Sequence, residues 1–236
     1  MVDNFIAALI LGSLHGEMDR PVYFSNQMPR TICLKPEYSI RYWRSNRLFP
    51  QKREVFNMLL AKAKFRLDHG KPTQRGLAKQ SDARNASKLF PELTESIRLV
   101  VTSPPYLNVT SFEEDQWLRL WFLGGEPNPT YGQVSKDDRH QNAIRYWSFL
   151  TETWRGIAPL LRNDSVLVIR IGTKSLPVEE VTNGLLSSFT LVFPAKRWLH
   201  RPAISVIRGK QARAFNPNAA GCQYETDFVY SPFARR

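Results

Sequence analysis

Hydrophobic residues follow two different patterns along this chain, and the pattern changes near residue 76. Before that point, apolar positions predict a helix over Phe5–Leu14 and another over Gln51–His69. Between them, prolines 21, 29, 36 and 50 predict an extended or looped stretch, because proline lacks a backbone donor and interrupts helices. The first helix is apolar nearly all round, so we expect it to need cover on several sides.

After residue 76, strand and helix patterns alternate. β-branched runs predict strands at Ile97–Thr102 and Val166–Ile171, and apolar residues three and four apart predict a helix over Gln141–Leu161. The other predicted elements are helices over Glu113–Phe122 and Val178–Ser188, a turn at Asn163-Asp164, and strands at Thr190–Phe193, Ile204–Ile207 and Thr226–Tyr230. This order indicates an α/β fold whose parallel sheet has an antiparallel edge, with residues 1–75 and 76–236 as separate domains.

The sign and size of the net charge indicate what kind of molecule this protein binds. The 236 residues include 33 Lys and Arg against 21 Asp and Glu, a net charge of +12. This charge favours a polyanion such as nucleic acid as the partner; the alternative is a basic protein whose charge only keeps it soluble. Arg41, Tyr42, Trp43 and Arg44 interleave cations with rings, which suits phosphate and base contacts; the alternative is ordinary core rings and surface cations.

The cysteines and the lengths of the apolar runs indicate the cellular compartment of the protein. Cys33 and Cys222 are far apart and make neither a disulfide framework nor a zinc site, so a reducing cytoplasm is expected. The longest apolar run, Phe5–Leu11, is too short to cross a bilayer, so no membrane association is expected. The histidines are dispersed, and no metal site is predicted.

The segment Leu99-Val-Val-Thr-Ser-Pro-Pro-Tyr106 carries the most specific chemistry. A strand that ends in this way brings its last residues to the crevice where open α/β sheets bind ligands. Ser103 Oγ and a proline carbonyl can both accept from one amino group, and Tyr106 offers a flat ring for stacking. An exocyclic base amine, held by two acceptors and stacked on the ring, fits this arrangement.

Thr102-Ser103-Pro104-Pro105-Tyr106 resembles the catalytic motif of the DNA amino-methyltransferases, which methylate cytosine N4 or adenine N6. The resemblance covers roughly Leu77 to Tyr230. It implies a Rossmann-like methyltransferase sheet, S-adenosyl-L-methionine as cofactor, a base flipped out of double-stranded DNA, and a restriction-modification setting. The Ser form of the motif favours cytosine N4 over adenine N6, and Ser103, Pro104, Pro105 and Tyr106 are its expected catalytic residues.

The same resemblance extends to neighbouring segments. Ser81-Asp82-Ala83-Arg84 resembles the third motif of the family and follows Leu77–Gln80, a possible third strand. Asp82 and Thr102 are then the expected cofactor contacts; a solvated Asp82 in a turn is the alternative. Separately, the basic loop with Arg208, Lys210 and Arg213 is expected to contact DNA, or else is an ordinary basic loop.

One expected element is missing from the sequence. The family binds the methionine end of the cofactor with a glycine-rich turn after its first strand, because close backbone approach demands glycine. None of the 12 glycines forms a Gly-x-Gly pair, so only strands three to seven of the fold are expected, preceded by a helical and extended basic region. Either a partner polypeptide carries the glycine-rich turn, or the chain is a degenerate DNA-binding subunit. A third alternative is an amino-methyltransferase acting on RNA or on a protein glutamine, of which the charge disfavours the protein.

Overall fold

The computed structural model describes residues 2–16, 20, 22–28, 36–71, 73–107, 112–130, 142–173, 176–193, 197–198, 202–206 and 224–231. The chain forms two compact units. The first comprises Met1–Gly76 and Ser111–Lys136, and the second comprises Leu77–Thr110 and Asp137–Arg236. Residues 111–136, which the sequence pattern assigns to the second domain, therefore group with the first unit. The division into functional domains at residue 75 stays a prediction.

Helices and strands alternate in the described part of the second unit, whereas the described elements of the first unit are helices. In chain order they are α1 Val2–Leu11, α2 Pro36–Ser45, α3 Val55–Arg66, α4 Ala86–Leu89, β1 Ile97–Thr102, α5 Phe112–Phe122, α6 Ala143–Ile157, β2 Leu161–Thr173, α7 Val178–Thr190, β3 Arg197–Trp198, β4 Ala203–Val206 and β5 Tyr224–Ser231. Short 3₁₀ turns lie at Ala83–Asn85, Pro91–Leu93 and Ala158–Leu160.

The strands of the second unit form one mixed sheet in the order β1-β2-β5-β3, and β4 also pairs with β5. β1 runs parallel to β2, whereas β5 runs antiparallel to β2, β3 and β4. The α/β class and the antiparallel strands next to a parallel pair are thus confirmed. In this described part of the sheet, β1 lies at one edge and pairs only with β2.

The core lies between the sheet and the helices α6 and α7. Alternate residues of β2 point to this side, because successive side chains of a strand face opposite ways. Leu167 and Ile169 of β2 and Phe228 of β5 are fully buried there. From the helices, Leu150, Trp154, Val181, Leu185 and Phe189 complete the core.

Pro36 begins a helix where an extended stretch was predicted for residues 20–50. The prediction was wrong for α2, because proline fits the first position of a helix, where its missing N–H has no partner to lose. Glu37 in the first turn and Arg44 in the last also complement the helix dipole. Arg41, Tyr42, Trp43 and Arg44 therefore lie on a helix rather than on an extended segment.

Three other local predictions in the second unit were wrong. Leu77–Gln80 form no strand, and their side chains are exposed. Asn163-Asp164 lie inside β2, where the pairing skips from Ile97 with Leu161 to Leu99 with Val166, so an irregular register replaces the expected turn. Thr190 closes α7, and the residues up to Phe193 form a turn instead of a strand.

α1 is the apolar helix expected near the N-terminus, but it spans Val2–Leu11 instead of the predicted Phe5–Leu14 and ends before Gly12. Only Leu9 of this helix is buried, and Val2, Phe5 and Ile6 are exposed. The described residues of this chain do not supply the cover that the apolar sequence predicts, so that cover stays a prediction.

Candidate active site

The Ser-Pro-Pro-Tyr segment follows directly on the last residue of β1. Thr102 pairs with Ile169 of β2, and the strand stops there because the two prolines have no N–H to donate to a ladder. Ser103 and Pro105 are exposed, Pro104 is buried and Tyr106 is half-buried. The fold therefore presents a hydroxyl and part of a ring at the carboxyl end of a parallel strand.

Hydrogen bonds connect this segment to β5. Ser103 Oγ donates to Tyr106 Oη at 3.2 Å, and Tyr106 Oη donates to Glu225 Oε1 at 3.0 Å. Glu225 lies opposite Gly172 in the antiparallel pair of β2 and β5. The motif is thus tied to a residue far along the chain, and its tyrosine is held by an acidic side chain.

An ion pair on the same face of the sheet stands next to Glu225. Arg170 donates from Nε and Nη2 to the two oxygens of Asp227, each at 2.7 Å, and its Nη1 lies 3.5 Å from Glu225 Oε2. Hydrogen bonding to Asp227 raises the pKa of Arg170, and the same bond lowers the pKa of Asp227. The pair therefore stays charged at neutral pH and keeps a cation beside Glu225.

Sequence reasoning missed Arg170, Glu225 and Asp227 as site residues. The alternation of acidic and apolar residues in Glu225-Thr-Asp-Phe-Val-Tyr230 was a usable sign, because it places both acids on one face of a strand. Only the register of β2 against β5 places Arg170 opposite Asp227.

Tyr146 of α6 is a further tyrosine near the motif. Its side chain is buried, and its hydroxyl has no hydrogen-bond partner among the described residues. Burial, and then the neighbouring Tyr106, raise its pKa, so the hydroxyl keeps its proton. This residue was also absent from the sequence predictions.

Asp82, an expected cofactor contact, caps the 3₁₀ turn Ala83–Asn85. Its Oδ1 accepts from the backbone N–H of Arg84 at 2.9 Å, and both of its oxygens accept from the guanidinium of Arg84. Arg84 also pairs with Glu152 of α6 at 3.0 Å. The carboxylate is therefore engaged in holding the turn to α6, and cofactor contact by Asp82 or Thr102 stays a prediction.

The candidate nucleic-acid residues of the first unit lie on α2. Arg41 and Arg44 are exposed and one helical turn apart, and Tyr42 and Trp43 are half-buried. Tyr42 contacts Tyr38 with ring centroids 6.2 Å apart. Arg208, Lys210 and Arg213 lie outside the described residues.

The described residues do not form a complete pocket for S-adenosyl-L-methionine. A cofactor at a strand end of an open α/β sheet needs a crevice with strands on both sides. β1 has a described neighbour on one side only, and no glycine-rich turn follows a strand in the described part of the chain. Asp82, the acid expected to contact the cofactor, is bound to Arg84, so the described residues by themselves do not fit such a ligand.

Two other kinds of site were searched for in the described ranges. They contain no group of three or more His, Cys, Asp and Glu residues that could hold a metal ion. None of their helices is long and apolar enough to cross a membrane.

Comparison with known proteins finds no matching family model and no matching curated protein. Among solved structures, a proposed DNA modification methylase from Thermus thermophilus matches in its selenomethionine form, with 18% identity and a TM-score of 0.37 over 66% of this chain and 54% of that chain. Its complex with S-adenosyl-L-methionine matches with 18% identity and a TM-score of 0.36 over 66% of this chain and 55% of that chain. The chain thus spans about half the length of these structures.

Proposed function

We propose that this chain is the base-binding subunit of a DNA amino-methyltransferase that works in the cytoplasm. It holds an exocyclic amine, cytosine N4 in preference to adenine N6, for methylation by S-adenosyl-L-methionine. The observation that carries this proposal is the Ser103-Pro-Pro-Tyr106 segment at the carboxyl end of β1, with its hydroxyl groups bonded in series to Glu225.

The chemistry of the amine explains why these residues suit it. Conjugation with the ring draws the nitrogen lone pair into the base, so the amine is a poor nucleophile. Hydrogen bonds from its two protons to Ser103 Oγ and to the Pro104 carbonyl would favour a pyramidal nitrogen with a localised lone pair. Holding that nitrogen in place would supply a large part of the rate.

In this proposal, the ring of Tyr106 stacks on a base that has left the duplex. A base inside a duplex cannot reach a strand end, so the nucleotide has to leave the stack. The ring of Tyr106, half-buried and fixed through its hydroxyl, would replace part of the lost stacking. Cations of the +12 chain, with Arg41 and Arg44 of α2 among them, would bind the phosphates.

The cofactor requires a second polypeptide in this proposal. S-adenosyl-L-methionine would supply the methyl group, but the described residues by themselves do not fit it, and we assign no reaction step to its contacts with this chain. A partner with a glycine-rich turn after a strand would complete the crevice.

The outer edge of β1 supports a partner of this kind. Interior parallel strands read as continuous apolar runs and are covered on both faces. β1 has that sequence, yet Leu99 is 57% exposed and Val101 70% exposed. A second copy of this chain fits poorly, since it also carries a charge of +12 and also lacks the glycine-rich turn. Leu99 and Val101 share one face of β1, so a different polypeptide that pairs with this edge and packs against that face would cover both residues.

Methyl transfer from labelled S-adenosyl-L-methionine to DNA tests the proposal. We expect incorporation with the chain plus the product of a neighbouring reading frame that carries the glycine-rich turn, and none with the chain alone. Ser103→Ala and Tyr106→Ala should each lower the rate at least about 100-fold, the usual range for groups that act in the transition state. Ser87→Ala, on α4, is the matched control and should leave the rate unchanged. Equal rates in all four proteins would exclude the site.

A DNA-binding subunit without catalysis is the second candidate. It is favoured by the engagement of Asp82 with Arg84, which leaves the expected cofactor acid in a structural role. Calorimetric titration of S-adenosyl-L-methionine separates the two candidates. The enzyme is supported if the complex binds the cofactor and Ser103→Ala lowers the rate of methyl transfer without lowering the affinity for the cofactor. The second candidate is supported if the chain binds DNA and no combination of polypeptides binds the cofactor.

A further inference from the structure

Ser103, Tyr106 and Glu225 form a row of three hydrogen-bonding groups. Ser103 Oγ lies 3.2 Å from Tyr106 Oη, which lies 3.0 Å from Glu225 Oε1. Each hydroxyl has one proton to donate and lone pairs that accept, whereas a carboxylate only accepts. These rules leave a single consistent direction for the row.

Glu225 sets that direction. Because its carboxylate must accept, Tyr106 donates its proton to Glu225 and can only accept from Ser103. Ser103 then donates its own proton to Tyr106, and its lone pairs remain for a ligand. We propose that Glu225 is a positioning residue: through Tyr106 it fixes Ser103 as a hydrogen-bond acceptor, so that the site selects a base with an exocyclic amine over one with a carbonyl oxygen. This inference rests on the proposed function for the nature of the ligand.

The surroundings of Glu225 keep it in place for this role. Arg170 Nη1 lies 3.5 Å from Glu225 Oε2, the oxygen that does not bind Tyr106, and Arg170 is itself held by two bonds to Asp227. All three side chains lie on the face of the sheet opposite the buried core of Ile169 and Phe228. The acid is therefore anchored at one oxygen and bonded to Tyr106 through the other.

The selection follows from the pattern of protons on the base. Cytosine and adenine present an amino group that donates to two acceptors, whereas uracil and hypoxanthine present a carbonyl oxygen at the same position. With Ser103 fixed as an acceptor, a carbonyl would face its lone pairs with no proton between them. A polar group left unpaired in a site is rejected more strongly than a merely smaller one.

Nucleotide binding to the full chain, without cofactor, tests this inference. The probes are dCMP and dUMP, and dAMP and dIMP, which differ within each pair in an amine against a carbonyl oxygen. Ligand-observed NMR titration gives a dissociation constant for each. We expect the unmodified chain to bind the amine of at least one pair about tenfold more tightly, the size of one good hydrogen bond.

Two variants address the direction of the row without removing Ser103. Glu225→Gln has an amide that donates as well as accepts, so both directions become allowed. Tyr106→Phe breaks the row and frees the proton of Ser103. In both, we expect the preference to fall several-fold, to the part that the Pro104 carbonyl still supplies as an acceptor, with the ratio between the paired nucleotides changing more than the mean affinity. A merely structural role would lower both affinities together and keep their ratio.

Glu179→Gln, an exposed acid on α7, is the matched control and should keep the preference of the unmodified chain. Thermal unfolding of each variant shows whether it is folded. No preference in the unmodified chain, or the same preference in Glu225→Gln and Tyr106→Phe, would overturn the inference. The methyl-transfer assay is read separately: preference without methyl transfer removes only the enzymatic proposal, and methyl transfer without preference removes only the role of Glu225.

Discussion

The ion pair of Arg170 and Asp227 holds a cation beside Glu225, the acid that binds Tyr106. They lie directly opposite each other on β2 and β5, and the guanidinium binds the carboxylate through two nearly parallel bonds. Such a bidentate geometry is the strongest form of this ion pair. Arg170 is nevertheless about half exposed, so solvent weakens the pair's contribution to stability.

The acid stability of the protein should reflect this pair. Hydrogen bonding to Arg170 lowers the pKa of Asp227 below its ordinary 3.8. A carboxyl whose pKa is lower in the folded state stabilises the fold above its unfolded pKa, and that contribution disappears as the pH falls through the folded pKa. Asp227→Asn should cost about 1 kcal/mol in the free energy of unfolding at pH 7, and the difference from the unmodified chain should shrink as the pH falls below 3.8.

Urea unfolding at a series of pH values measures this difference. Asp164→Asn is the matched control, because Asp164 pairs with Arg162 and Arg98 in a more exposed place and should change stability by less than about 0.5 kcal/mol. A cost of Asp227→Asn that is the same at pH 7 and pH 3 would contradict the assignment.

At the scale of elements, α6 connects the sheet to the turn that carries Asp82. Glu152 of α6 pairs with Arg84, and Gly156 lets the helix come close to the backbone of that turn. A Cβ at position 156 would lie 2.4 Å from the carbonyl oxygen of Arg84, which is rigid backbone. The glycine is therefore required by packing and not by a special backbone angle.

Gly156→Ala tests that close approach. In an open helix the change would stabilise by up to about 1 kcal/mol, since alanine is the better helix former. Here we expect a net loss of about 2 kcal/mol, because the contact with backbone cannot relax. Thermal or urea unfolding gives the value, and Gly76→Ala, where the new Cβ meets nothing within 4 Å, should stay within about 0.5 kcal/mol. A stabilised Gly156→Ala would show that the turn moves away freely.

The exposed edge of β1 gives a prediction for the proposed partner. Val101→Lys places a charge where we expect a second polypeptide to cover the strand. We expect the affinity for the co-expressed partner to fall at least about tenfold, with little change in the chain's own stability, since Val101 is already exposed. Ile204→Lys, at a similarly exposed apolar position on β4, is the control. Equal partner affinity in both variants would exclude the β1 edge as the interface.

For the molecule as a whole, the charge of +12 matters more than any one contact. A basic protein binds DNA largely by releasing condensed counterions, so its affinity falls linearly with salt on logarithmic axes. Arg41 and Arg44 on α2 are exposed, and we propose that both contact phosphates.

The double variant Arg41→Ala/Arg44→Ala should reduce the slope of that salt dependence by about 2, one for each lost phosphate contact. Arg41→Lys/Arg44→Lys keeps both charges and should keep the slope. Fluorescence anisotropy with a DNA duplex, from about 50 to 200 mM salt, measures both. A slope that is unchanged in the alanine variant would place DNA contact elsewhere on the chain.

Local pattern was enough for much of this fold. The β-branched run of β1, the three-and-four spacing of α6 and the alternation of β5 are local patterns typical of a strand or a helix, and the structure contains all three elements. The same pattern predicted Ser103 and Tyr106 as site residues, because a polar residue and two prolines after a strand end that strand. α2 was missed where proline was treated only as a helix breaker, although Pro36 stands at the first helical position.

What the order of residues determined by itself was therefore the class of fold, the position of the Ser-Pro-Pro-Tyr segment and the overall charge. The partners of that segment were decided only in three dimensions. Glu225 lies far along the chain from both Tyr106 and Arg170, and it contacts both because β5 inserts next to β2 in one particular register. A slip of one residue in that register would turn both acids of β5 to the opposite face. Such a register depends on long-range packing, which local periodicity does not encode.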